Sequence, residues 1–271
     1  MALDRIQKEL LETISGLHEV PQGAYNLRVD GKAYGRQSSA NIEIVPKPAS
    51  EGKSGIDIYI KPGTKHESVH IPVLLMQTGL KELVYNDFHI GADADVTIVA
   101  GCGIHNGGVH SFEVGPRARV KYIEKHYGEG DGRGARVMNP QTIVHIQKDG
   151  YMEMDTSQIK GVDSTHRITK AVLEEGATLV IGEKIMTHGT QYAKTEFEVS
   201  LNGAGAGAHV VSRSVAKEQS RQTFLSKVNG NAPCSGHTEC DAIIMDDARV
   251  EAIPEISANH VDASLIHEAA I

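Results

Sequence analysis

Gly-Ala-Asp-Ala-Asp-Val-Thr-Ile at residues 91–98 decides the fold of this chain, because the same pattern returns along it. Gly-Pro-Arg-Ala-Arg-Val-Lys-Tyr-Ile begins at Gly115, Gly-Ala-Thr-Leu-Val-Ile at Gly176, Gly-Ala-Gly-Ala-His-Val-Val at Gly205 and Asp-Ala-Arg-Val-Glu-Ala-Ile at Asp247. Each copy is a tight turn, a small residue and then a short strand with alternating apolar residues. The spacing is irregular but compatible with one or two coils of about 20–30 residues. This predicts a solenoid that stacks short strands in parallel, with an interior narrow enough to favour Ala, Val and Ile over Trp and Phe. A two-sheet sandwich competes, although such folds usually want large aromatic anchors.

The composition points the same way. The 271 residues include 28 Gly, no Trp and only 4% aromatics, against 40% hydrophobic residues. A chain of this length buries a sizeable core in one or two domains. Its 27 Lys and Arg against 35 Asp and Glu leave a formal charge of −8, which argues against a general nucleic-acid binder. No run approaches ~18 apolar residues, so no membrane span is predicted. The amphipathic, charged N-terminus is not a signal peptide. Three Cys without a secretion signal suit a reducing, cytoplasmic location.

Leu3, Ile6, Leu10, Ile14 and Leu17 predict an amphipathic helix over residues 1–20, stopped by Pro21. Residues 21–55 are rich in turn formers. Beyond them the period is two: Ile56, Ile58 and Ile60; Ala118, Val120 and Tyr122; Val144 and Ile146; Phe197 and Val199; Val261, Ala263 and Leu265. Asp163–Glu174 fits either helix or strand. The expectation is an all-β chain, a helix at 1–20 followed by a β core over 21–271.

Six motifs touch on chemistry. His66-Glu67-Ser68-Val69-His70 has the H-E-x-x-H spacing of a zinc hydrolase, which needs both His on one helical face. The flanking Pro62-Gly63 and Pro72, with Val69, Ile71 and Val73 alternating, predict a strand instead. Gly52-Lys53-Ser54 lacks the upstream Gly of a phosphate loop. Gly203–Ala208 fits G-x-G-x-x-A but runs into a strand rather than a helix. The Cys and His segments weigh more, since thiolate and imidazole are natural ligands of zinc and of iron–sulfur sites. Cys102-Gly103-Ile104-His105 is followed by His110, and Cys234-Ser235-Gly236-His237-Thr238-Glu239-Cys240 contains C-x2-H-x2-C. Cys240 reads equally as a ligand or as a small core residue, whereas Cys234 is expected to expose its thiol in a loop. His267-Glu268 reads as a metal or proton-transfer pair or as an ordinary exposed turn.

The C-terminal third resembles a known family. Ser-Arg-Ser-Val-Ala-Lys at 212–217, Gly-His-Thr-Glu-Cys-Asp-Ala-Ile-Ile at 236–244, residues 252–271 ending in Leu-Ile-His-Glu-Ala-Ala-Ile, and Glu-Lys-Ile-Met-Thr-His-Gly at 183–189 are similar to SufB/SufD proteins, above all their short, stand-alone members. The likeness covers roughly residues 85 to 271. It implies a right-handed parallel β-helix, and a non-catalytic scaffold for iron–sulfur cluster assembly that works with a SufC-type ATPase. The family's His-Glu motif matches His267 and Glu268, and its cysteine before an Asp matches Cys240. The further cysteine of SufB-like members has no counterpart around Ala248 and Arg249. Family members also continue into a C-terminal helical segment that docks the ATPase, and this sequence stops at Ile271.

The expectation is therefore a cytoplasmic scaffold that pairs edge to edge with a copy of itself or a SufB/SufD relative. It would transiently hold iron or a cluster through His267, Glu268, Cys240, Cys234, His237 and Cys102, with His105 and His110 as further metal ligands. The alternatives are a zinc hydrolase using His66, Glu67 and His70, and a purely structural assembly module.

Overall fold

The computed structural model describes residues 4–17, 19–48, 54–74, 82–103, 106–127 and 136–270. It opens with helix α1 (Arg5–Ser15) and strands β1 (Ala24–Val29), β2 (Lys32–Gln37), β3 (Ile42–Pro46) and β4 (Ser54–Ile60). There follow β5 (Lys65–Leu74), β6 (Glu82–Ile90), β7 (Asp95–Gly103), β8 (Asn106–Val114), β9 (Arg119–Tyr127), β10 (Val137–Ile146), β11 (Tyr151–Lys160) and β12 (Ser164–Leu173). The last coils are made of β13 (Thr178–Thr187), β14 (Tyr192–Leu201), β15 (Gly207–Ala216), β16 (Arg221–Gly230), β17 (Cys234–Ile244), β18 (Arg249–Ala258) and β19 (Ala263–Ala270).

From β4 onward each strand pairs in parallel with the strand two places later, which makes a parallel β-solenoid of about seven turns. Its two flat sheets face each other, one in the order β19-β17-β15-β13-β11-β9-β7-β5-β1-β2 and the other β18-β16-β14-β12-β10-β8-β6-β4-β3. The first is called the odd sheet below. The competing sandwich is thus realised only in having two sheets, since nearly all pairing is parallel and every coil contributes to both.

The corners into the odd sheet explain the repeat. A residue with left-handed backbone stands at six of them: Gly63, Asp93, Arg117, Asp149, Gly176 and Gly205, with φ from 55° to 74°. Each donates its N–H to a carbonyl of the next corner (Ala92, Pro116, Lys148, Glu175, Ala204 and Pro233) at 2.7–3.0 Å. The corner backbone is thereby satisfied without side chains. The small residue after it turns inward, and Ala94, Ala118, Ala177 and Ala206 are buried. Not every repeat glycine serves the dihedral angle. Gly91 precedes the left-handed Asp93, and a Cβ on it would lie 2.4 Å from the Pro62 nitrogen of the coil below.

Three expectations are corrected. The helix is shorter than 1–20: it begins at an Asp4–Gln7 capping box and ends at Gly16, in the left-handed conformation at φ 69°, before Pro21 is reached. Leu10, Leu11 and Ile14 bury it against β5, β7 and β9, with Gly101 so close that a Cβ there would lie 2.5 Å from the Ile14 carbonyl. Residues 21–55 are more than turns, since antiparallel β1–β2 and β3–β4 pairs close the N-terminal ends of the two sheets. The interior also accepts aromatics: Phe88, Phe112, Phe197 and Phe224 are all buried, and Phe88 stacks on Phe112 at 4.5 Å. Asp163–Glu174 resolves as strand β12, as the inward alternation of Thr165, Arg167 and Thr169 requires.

At the other end, β18 and β19 each have one neighbour among the described residues. Ile256 and Leu265 face inward there, and Ile256 is 43% exposed with no later coil over it among the described residues.

Candidate metal-binding site

Parity along β17 and β19 sorts the C-terminal motif residues into two groups. Successive side chains of a strand point to opposite faces. Cys234, Thr238 and Cys240 point inward, while His237, Glu239 and Asp241 point outward. On β19, His267 stands beside Thr238 and Glu268 beside Glu239. The two halves of the His267-Glu268 pair therefore leave opposite faces of the sheet and do not act on one ligand.

The outward group forms a site. One donor atom each from His237, Glu239 and Glu268 lies within 4.8 Å of the others, the one such group of three among the described residues. His237 Nε2 is 3.5 Å from Glu268 Oε2, and that nitrogen is buried with no hydrogen-bond partner. A buried imidazole nitrogen left unpaired between two carboxylates is suited to a cation. The His209 ring packs edge-on against His237 at 4.9 Å from the neighbouring strand. Arg213 reaches both Glu239, at 3.6 Å, and Asp241, at 3.4 Å. The hydrogen bond with Asp241, helped by desolvation, raises the Glu239 carboxyl above its ordinary range. One imidazole and two carboxylates suit a borderline divalent ion such as Fe²⁺, Mn²⁺ or Zn²⁺.

The inward group is built differently. His267 Nδ1 lies 2.7 Å from Thr238 Oγ1, and its Nε2 is buried without a partner. Burial, then the nearby His237, lowers its pKa. Cys240 stands in an interior column of register partners, after Glu124, Thr156, Glu183 and Ser212 and before Ala269. Burial, with Glu183 and Asp241 nearby, pushes its thiol up to about 11. Cys234 was expected to be exposed but is buried as the first residue of β17, because the corner before it is only Asn231-Ala232-Pro233. Six residues of strand separate Cys234 from Cys240, about 20 Å, so the C-x2-H-x2-C spacing makes no common site.

Glu183 also belongs to a buried ionic group. Arg167 lies 2.5 Å from Glu124 and 3.4 Å from Glu183, and Thr195 and Ser212 donate to Glu183 at 3.1 and 2.8 Å. Burial raises Glu183. For Glu124 the burial effect is outweighed by His126 and Arg167, which hold it well below the carboxylate range.

Cys102 and His110 lie coils away, on β7 and β8, and do not join the C-terminal residues. His105 lies outside the described residues. His66, Glu67 and His70 cannot form the zinc motif, which needs a helix: they sit at the start of β5, with His66 in a left-handed bulge. Glu67 instead accepts from Ser39 at 2.7 Å and Asn41 at 2.5 Å. Sequence reasoning missed Glu239, His209 and His126. For Glu239 the signal was present, because it stands two residues from His237 and so shares its strand face.

The chain is thus a parallel β-solenoid that carries an imidazole–carboxylate cluster on its last described coils. Residues 82–271 match the family described as SUF system FeS cluster assembly, SufBD core domain, and this chain belongs to it. Among its relatives is an iron-sulfur cluster assembly SufBD family protein of Methanocaldococcus jannaschii, 26% identical over 82% of this chain and 72% of the relative. One from Archaeoglobus fulgidus is 24% identical over 82% of this chain and 61% of its own length. Another, from Pyrococcus horikoshii, is 23% identical over 96% of this chain and 75% of its own length. Among the described residues no helix is long and apolar enough to cross a membrane.

Proposed function

We propose that this chain is a cytoplasmic scaffold on which iron and sulfide are gathered during cluster assembly, with iron or a nascent cluster as cargo rather than as a resident cofactor. The observation that carries the reading is the outward group of His237, Glu239 and Glu268, three donors within 4.8 Å and one of them a buried, unpaired nitrogen. Membership of a cluster-assembly family supports the cargo assignment. Of the residues marked in the sequence, His237 and Glu268 hold the metal, with Glu239 completing the set. Cys234, Cys240 and His267 face the interior and are not assigned as its ligands.

The open edges of β18 and β19 are the surface for a second copy or a SufB/SufD relative, since unpaired edge strands with uncovered apolar residues template further pairing. A SufC-type ATPase is the proposed energy-coupling partner.

The test is anaerobic reconstitution of the full chain with ferrous iron and sulfide. The wild type should gain charge-transfer absorbance, and Glu268→Gln and His237→Gln should lose it. A purely structural module gains none, or gains the same in all three proteins, and either result sinks the reading. Co-purification with a SufC-type ATPase checks the partner separately.

A further inference from the structure

A second, unrelated donor set lies inside the solenoid, four coils away from the outward site. Cys102 on β7 and His126 on β9 are direct register partners, so their backbones run about 4.8 Å apart. Both side chains line an interior cavity of about 50 Å³, together with Asn86, His110 and Glu124. That volume exceeds the ~10–15 Å³ one water needs and admits an ion with its coordination shell.

The polar groups around the cavity are incompletely satisfied. His126 is 6% exposed, and neither of its ring nitrogens makes a hydrogen bond, although Nε2 passes 3.2 Å from Glu124 Oε2. Asn86 is 4% exposed and its Oδ1 has no partner. The neighbours that might have answered them are engaged elsewhere. His110 Nδ1 lies 2.7 Å from the Tyr122 hydroxyl and its Nε2 3.2 Å from Asn86 Nδ2. Tyr122 donates to Glu124 at 3.0 Å, and Glu124 is bound to Arg167. His126 Nδ1 thus stands buried without a hydrogen bond, a cost in free energy that a ligand in the cavity removes.

We propose that Cys102, His126 and Asn86 form an interior site for one borderline divalent transition-metal ion, of the zinc or ferrous class. A thiolate sulfur, an imidazole nitrogen and an amide oxygen match that class and not calcium or magnesium. Glu124 supplies the negative charge next to it. All three residues line the same cavity, and binding one ion there requires their side chains to turn into it. The site is independent of the outward one, which contains no sulfur.

The test is titration of the chelator-treated full chain with Co²⁺, whose thiolate complexes absorb in the near ultraviolet. The wild type should show this band at one equivalent. Cys102→Ser should abolish it, and His126→Gln should weaken metal affinity severalfold or more. Glu268→Gln and Cys240→Ala should leave the band unchanged. X-ray absorption of the zinc-loaded wild type needs no variant and should show one sulfur at about 2.3 Å. A cavity that holds only water gives no sulfur in either measurement, and this overturns the proposal. So does a thiolate band that survives Cys102→Ser.

Discussion

His237 and Glu268 meet across the β17–β19 ladder one coil apart in the chain, with Nε2 and Oε2 3.5 Å from each other. The contact sits on the outer face of the sheet, whereas His267, next to Glu268 in sequence, bonds inward to Thr238.

This parity makes a sharp prediction for metal binding. Glu268→Gln and His237→Gln should each weaken ferrous iron binding by roughly 10- to 100-fold or more, whereas His267→Gln should leave it nearly unchanged. Anaerobic equilibrium dialysis distinguishes the three proteins. An equal loss in His267→Gln would place the metal inside the solenoid instead.

The Cys240 thiol should behave as a buried, protonated group. Its pKa, about 11, lies well above neutral pH, so almost no thiolate is present at pH 7. Alkylation of the native protein followed by peptide mass spectrometry should find Cys240 unmodified at pH 7 and its rate rising steadily toward pH 11. Rapid labelling at pH 7 would contradict the burial described for β17.

Arg167 is the cation that reconciles Glu124 and Glu183 in the interior. Arg167→Met should destabilise the fold by about 3–5 kcal/mol at pH 7, because two buried carboxylates lose their partner. In the variant both carboxyls titrate higher when folded than the ~4.3 of an unfolded Glu. The penalty is therefore absent below about pH 4 and grows as pH rises. Urea unfolding at both pH values checks the size and the sign.

Ile256 faces inward on the last described coil and is left 43% exposed. If the open edges join two copies, Ile256→Lys should shift the protein from dimer to monomer in light scattering, with unchanged circular dichroism. A wild type that is monomeric at all concentrations removes that interface.

The fold was readable because a solenoid states its rule locally and then repeats it. Gly91–Ile98 contains a full corner, its inward alanine and the start of a strand, and the later copies only had to be recognised. The reading overreached where composition stood in for geometry. Four Phe side chains fit the interior because successive coils stack rings such as Phe88 and Phe112 face to face. The site was less legible. Adjacency in sequence suggested that His267 and Glu268 act together, but strand parity separates them, and Glu268 gains its partners only through the β17–β19 register. Cys234 and Cys240 misled for the same reason, since a short spacing in a strand is a long distance in space. His126 gave no signal at all, because its pairing with Cys102 depends on a coil length that the irregular repeats do not define.

The two ends of the described stack are built differently, which gives it a direction. Antiparallel β1–β2 and β3–β4 pairs replace the parallel coils at one end. At the other end of the described stack, parallel β18 and β19 have one neighbour each. Each coil touches only its neighbours, so local opening is expected to pass along the stack one coil at a time. His237, Glu239 and Glu268 sit on the last two described strands of the odd sheet.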